Sequence, residues 1–116
     1  MQLKYLTFDT PDPERIARFW AGFLGGTMEV SEDAARVRTD SGPDLLFLVV
    51  PEPKTAKNRC HPDYHTPDME HHAERAVKWG ATETGRFHEG SRWIVFQDPD
   101  GNEFCIVEDP EAGRPG

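Results

Sequence analysis

The sequence predicts an α+β fold built from two βαβββ units, and three observations carry that prediction. The tripeptide Thr-Pro-Asp occurs at Thr10–Asp12 and again at Thr66–Asp68, an offset of 56 residues. In both copies a strand-like run precedes it and a helix-like run follows it, ended by Gly25 in one and Gly80 in the other. Gly42 and Gly101 then open the last strand of each copy. The same tripeptide at the same structural point, with matching stops on both sides, marks an internal repeat.

The elements follow in order. Leu3 to Asp9 alternates as a strand, with Leu6 and Phe8 on one side and Tyr5, Thr7 and Asp9 on the other. Asp12 suits an N-cap, Pro13 the first helical position and Glu14 the positive helix end. Ile16, Phe19, Trp20 and Phe23 recur at helical spacing, so this face packs on a sheet, and Gly25 and Gly26 stop the helix. Three short strands are predicted at Thr27–Ser31, Ala35–Thr39 and, after a turn at Ser41, Gly42 and Pro43, Leu45–Val50. Pro51 to Lys57 is polar and proline-containing and reads as a linker.

The second copy opens with a strand at Arg59–His65, which Pro62 demotes toward an edge or a bulge. A helix follows with Asp68 as N-cap, then a strand at Thr82–His88. The hairpin from Trp93 to Glu108 turns at Asp98, Pro99, Asp100 and Gly101, because proline presets one turn position and glycine takes a backbone conformation a side chain forbids. Alternation places Ile94, Phe96, Phe104 and Ile106 on an apolar face, and Trp93, Val95, Glu103, Cys105 and Val107 on a mixed face of the kind that lines a cleft. The expected organisation is one domain over 1–110, with repeats at about 3–50 and 58–108 and a loose tail at 111–116.

The 116 residues suffice for one core, and 36% apolar with 29% charged residues describe a globular protein. A formal net charge of −8 argues against nucleic acid or an anionic membrane as partner, since both need basic patches. No apolar run approaches the roughly 20 residues that span a bilayer. The N-terminus lacks a charged-then-apolar signal pattern, so the expected location is cytoplasmic. Cys60 and Cys105, both in strand-like runs, are expected to be free thiols there.

Two βαβββ units closing on DPDGN and an apolar strand resemble the vicinal oxygen chelate superfamily, which includes glyoxalase I, fosfomycin and bleomycin resistance proteins, and extradiol dioxygenases. The resemblance covers about Leu3 to Glu108. It is strongest toward small glyoxalase-like domain proteins, through DPERIARFWAGFLGG, LLFLVVPEP, KNRCHPDYHTPD and DPDGNEFCIVE. It implies a curved mixed sheet with a concave cleft and helices outside, and pairing of two subunits as a homodimer. In its metal-dependent members the ligands come from the first and last strands of each unit. The first-strand histidine lies seven residues before the capping aspartate, which gives His61 in the second copy and Tyr5 in the first. The last-strand glutamate, four positions after the glycine of DPDG, corresponds to Cys105, and in the first copy to Phe47 or Leu48. One family ligand remains, with a thiol in place of a carboxylate.

Several residues carry the candidate chemistry. His61, Asp63 and His65 share one face of a regular strand, and such a row suits a divalent metal or an imidazole oriented as a general base. Glu103 can supply a further oxygen or an acid/base partner. Cys105 is either a soft ligand or a small apolar filler. Tyr5 either donates a hydrogen bond to a ligand or walls the pocket, and Trp93 is either a stacking surface or core. Trp20 and Phe19 belong to the helix core, and His71 and His72 face solvent. The leading expectation is a protein that binds a small molecule in its cleft, through Tyr5, His61, Trp93 and Cys105, with no cofactor. The alternative is a lyase- or isomerase-type enzyme with His61 and Glu103 as its catalytic pair, with or without Zn, Ni, Mn or Fe. Glyoxalase I chemistry itself is not expected, because it needs a metal to stabilise an enediolate.

Overall fold

The repeated Thr-Pro-Asp performs the same work twice. In a computed structural model that describes residues 2–40 and 42–112, the Thr10 hydroxyl accepts from the Asp12 amide at 3.2 Å, and Thr66 accepts from the Asp68 amide at 3.1 Å. Each aspartate then caps a helix, Asp12 accepting from the Arg15 amide at 3.2 Å and Asp68 from the His71 amide at 3.3 Å. These bonds satisfy amides that the first helical turn leaves without partners. The elements are β1 (Tyr5–Thr10), α1 (Pro13–Leu24), β2 (Thr27–Val30), β3 (Ala34–Arg38), β4 (Asp44–Val49), β5 (Asp63–Thr66), α2 (Met69–Trp79), β6 (Thr82–Glu89), β7 (Ser91–Gln97) and β8 (Glu103–Glu108). Both helices start and stop at the capping residues the sequence indicates. The described part of the tail forms a turn; residues 113–116, like Ser41 of the predicted turn, lie outside the described residues.

The chain divides between Thr55 and Ala56 into two compact units. Each holds one four-stranded mixed sheet with the same order, β1-β4-β3-β2 in the first and β5-β8-β7-β6 in the second. The first and last strands of each unit pair parallel, and the other pairings are antiparallel. In the first unit α1 buries Ile16, Phe19, Trp20 and Phe23 against β2, β3 and β4, whose inward residues include Val37, Leu45 and Phe47. The second unit distributes its bulk in the opposite way. Its helix buries small residues, Ala73 and Ala76, beside Met69, while the sheet supplies Ile94, Phe96, Phe104 and Ile106, all at most 1% exposed. Phe96 and Phe104 stack with centroids 5.4 Å apart. The apolar face of the β7–β8 hairpin is therefore the core of that unit, as its alternation predicts.

The hairpin turn is held by Asp98, buried at 4% exposure. Its Oδ1 accepts from the Asp100 and Asn102 amides, both at 2.9 Å, so a charged group inside the fold has its partners. Gly101 completes the turn at φ 88°, where a Cβ would be strained. No helix among the described residues is long and apolar enough to cross a membrane.

One element is shorter than its sequence suggests. β5 starts at Asp63, so Arg59, Cys60 and His61 lie in the preceding loop and not in a strand. Pro62 explains the difference: its carbonyl accepts from the Cys105 amide at 3.0 Å, but it has no N–H with which to continue the ladder. In the first unit the equivalent strand runs on to Tyr5, the position that corresponds to His61.

Tyr64 points from β5 toward the core, edge-on to Phe104 with centroids 6.4 Å apart. Burial pushes its hydroxyl up from 10.0 to about 12. A phenol that stays neutral when folded but ionises when unfolded leaves stability unchanged below pH about 10 and removes it between about 10 and 12. At ~1.4 kcal/mol per pH unit, the loss over that window is on the order of 2 kcal/mol. Thermal unfolding followed against pH should therefore fall less steeply above pH 10 in Tyr64→Phe than in the parent. The Cys105 thiol titrates in an overlapping range in both proteins, so the difference in slope belongs to Tyr64. Parallel slopes would refute the assignment.

Candidate functional site

Period-two alternation turns Asp63 and His65 of β5, Glu103, Cys105 and Val107 of β8, Trp93 and Val95 of β7, and Phe87 of β6 away from the core side of the second sheet. The parallel register sets Asp63 directly beside Cys105. His61 reaches the same place from the loop, its Nε2 lying 3.2 Å from Asp63 Oδ1. One donor atom from each of His61, Asp63 and Cys105 falls within 4.8 Å of the others. His61 and Asp63 are half exposed, while Cys105 is buried.

The electrostatics of this trio decide what the thiol does. Burial, then the Asp63 charge, then a hydrogen bond to Asp63 push Cys105 up to about 11. A carboxylate that accepts the S–H proton keeps the group a thiol, whereas a nucleophile needs a cation beside it to become thiolate. Both influences on Cys105 therefore favour the thiol over the thiolate. Asp63 thus faces both the thiol and, at 3.2 Å, the His61 imidazole.

Other predicted residues lie elsewhere. The row of His61, Asp63 and His65 is not gathered, because His65 Nδ1 pairs with Asp109 Oδ2 at 2.9 Å and Cys105 takes its place in the cluster. That bond, with the Glu111 amide, lowers the Asp109 carboxyl below its usual range. Glu103 Oε2 accepts from the Asn58 amide at 2.9 Å, tying the loop before His61 to β8. Trp93 stacks on Phe87 at 5.4 Å and an interplanar angle of 18°. Phe87 lies over Gly85, where a Cβ would stand 3.0 Å from its ring.

Tyr5 belongs to the first unit, opposite Asp44 and with the Arg36 guanidinium 5.4 Å from its ring centroid. Arg36 donates to Asp44 through Nη2 at 2.8 Å and Nε at 3.1 Å, which holds the Asp44 carboxyl below the usual range. The register corrects one assignment. Leu46 pairs with Thr7 as Cys105 pairs with Asp63, so Leu46, and neither Phe47 nor Leu48, is the first-unit counterpart of Cys105. Phe47 points into the core. Sequence reading did not identify Phe87, Asn58 or Asp109 as partners. For Phe87 the signal exists: Gly90 turns β6 into β7, and equal steps from it reach Phe87 and Trp93.

The family model for the glyoxalase-like domain matches residues 5–107. The chain belongs to the glyoxalase-like domain family. Solved structures share its fold. A glyoxalase/bleomycin resistance protein/dioxygenase family enzyme from Burkholderia phytofirmans is 16% identical with a TM-score of 0.79, covering 92% of this chain and 98% of that one. A fosfomycin resistance protein from Mesorhizobium loti is 20% identical with a TM-score of 0.76, covering 92% and 91%. A mutant of the Listeria monocytogenes fosfomycin resistance protein, in complex with Mn(II) and 1S,2S-dihydroxypropylphosphonic acid, is 14% identical with a TM-score of 0.77, covering 91% and 88%. At these identities the likeness concerns the fold. No curated protein matches the chain.

Among the described residues, the side-chain cluster that could hold a metal ion, His61, Asp63 and Cys105, lies within the second unit. Tyr5 and Leu46 occupy the first- and last-strand positions of the first unit, and an alkyl chain cannot ligate a metal.

The electrostatics yield a test in metal-free, reduced protein. Brief treatment with iodoacetamide near pH 8 should alkylate exposed Cys60 and spare Cys105, as read by peptide mass spectrometry. Modification of Cys105 at the rate of Cys60 would refute the protonated, buried thiol.

Proposed function

We propose that the chain binds a small molecule with a planar apolar part on the outward face of its second sheet, without a metal-dependent reaction of the glyoxalase I kind. The supporting observation is the Phe87–Trp93 stack, a large aromatic surface whose Phe87 ring remains 49% exposed. An aromatic pair open to water gains from being covered, and the adjacent polar trio gives a ligand directional anchors. His61 offers an acceptor, and Asp63 a carboxylate for a donor on the ligand.

A panel of planar aromatic compounds, titrated against chelator-treated protein with tryptophan fluorescence as readout, should give binders. Trp93→Ala should weaken them about tenfold, the equivalent of ~1.4 kcal/mol. Absence of binders, or binders indifferent to Trp93→Ala, would overturn the reading.

The approach of His61 Nε2 to within 3.2 Å of Asp63 Oδ1 favours a second reading, a lyase or isomerase with His61 as general base. Glu103 is then a clamp on Asn58 before it is a proton carrier. Conversion of a bound compound, abolished in His61→Ala, would replace binding by catalysis. Pairing of two chains belongs to the proposal as well. A light-scattering mass of two chains at micromolar concentration is expected, and a mass of one chain would remove it.

A further inference from the structure

We propose that His65, oriented by Asp109, is the directional anchor of the second sheet's outward face, and that the ligand held there carries a hydroxyl on its aromatic ring. The inference rests on the ligand-binding reading and narrows the class of compound. Strand register places the residues involved in one row. His65 of β5 pairs with Val107 of β8, Val107 with Trp93 of β7, and Trp93 with Phe87 of β6, so all four share one face. Asp63 stands one row away, in line with Cys105, Val95 and Gly85, where there is no aromatic surface. The imidazole of His65 is thus the polar group in line with the Phe87–Trp93 stack. Two strand spacings, about 9–10 Å, separate β5 from β7. One aromatic ring with a hydroxyl spans that distance when the ring meets the indole and its oxygen meets the imidazole.

Asp109 decides which way the imidazole works. His65 Nδ1 lies 2.9 Å from Asp109 Oδ2. The carboxylate is itself fixed, because its Oδ1 accepts from the Glu111 amide at 3.0 Å and the Asp109 amide donates to the Thr66 carbonyl at 2.8 Å. An ionised carboxylate can only accept, so in the neutral ring Nδ1 carries the proton and Nε2 is the acceptor. The side chains of His65 and Asp109 are 49% and 35% exposed, so a ligand can reach that acceptor. An acceptor in line with an aromatic surface selects for a donor. A ring hydroxyl gains a hydrogen bond there, and the methyl ether of the same ring does not. Asp109 is a positioning residue, since it touches the imidazole and acts on the ligand only through it.

The test uses the full chain, reduced and treated with chelator, and two probes of the same ring, naphthol and its methyl ether, titrated by calorimetry. Naphthol should bind about tenfold more tightly than the ether. In His65→Ala that preference should disappear while the ether binds as before. Nitrogen NMR of the imidazole, in mildly alkaline solution where the ring is neutral, reads the anchor without any ligand. The His65 proton should sit on Nδ1 in the parent and shift toward Nε2 in Asp109→Ala, with a smaller preference for naphthol, a change that a merely structural aspartate would not cause. Should Asp109→Ala disturb the turn after β8, the tautomer of the parent still decides. A proton on Nε2 in the parent, equal affinity for the two probes, or a preference that survives His65→Ala would each overturn the anchor and leave ligand binding in place. Binding of neither probe would overturn it too, and failure of the whole aromatic panel would remove the ligand-binding reading with it.

Discussion

β8 pairs with two strands at once, parallel to β5 and antiparallel to β7, and the second unit depends on that double pairing. A strand buried in the middle of a sheet can slip by one residue only by exchanging its two faces. Phe104 and Ile106, both buried against the helix side, make that exchange prohibitive. Fixing them inward fixes Cys105 and Val107 outward. The parallel ladder then sets Asp63 beside Cys105, and the antiparallel ladder sets Trp93 beside Val107. The core thus dictates which chemistry the opposite face displays.

The two units show how far one backbone plan constrains side chains. Their strand order, caps and threonine hydrogen bonds agree. Their outward faces do not. Where the second unit gathers an imidazole, a carboxylate and a thiol, the first places Tyr5 against an Arg36–Asp44 ion pair, with Leu46 at the position of the thiol. Hydrogen bonding and the packing under the helices specify the scaffold, and the residues of the opposite faces are free to diverge.

This division also explains what could be read in the sequence. Helix limits were legible because Asp12, Asp68, Gly25 and Gly80 act locally, through amides within a turn of them. The hairpin faces were legible because burial imposes strict alternation on Ile94, Phe96, Phe104 and Ile106. The trio was half legible, since His61 and Asp63 are close in sequence, while its third member depends on a strand pairing that joins residues far apart. His65 went to Asp109 for the same kind of reason: its neighbour arrives from beyond the end of β8. Pro62 was visible as a disturbance, but whether it would bulge the strand or cut it short depended on what β8 offered across the ladder.

Cutting β5 short has a consequence for how the site behaves in time. Cys105 and Asp63 are embedded, and they move only when the sheet opens. His61 is tethered, on a segment with no ladder bonds of its own from Pro51 to His61. Such a segment samples orientations far faster than a sheet rearranges. A visitor to this face therefore meets two groups carried by paired strands and a third carried by the loop that the Asn58–Glu103 bond ties to β8.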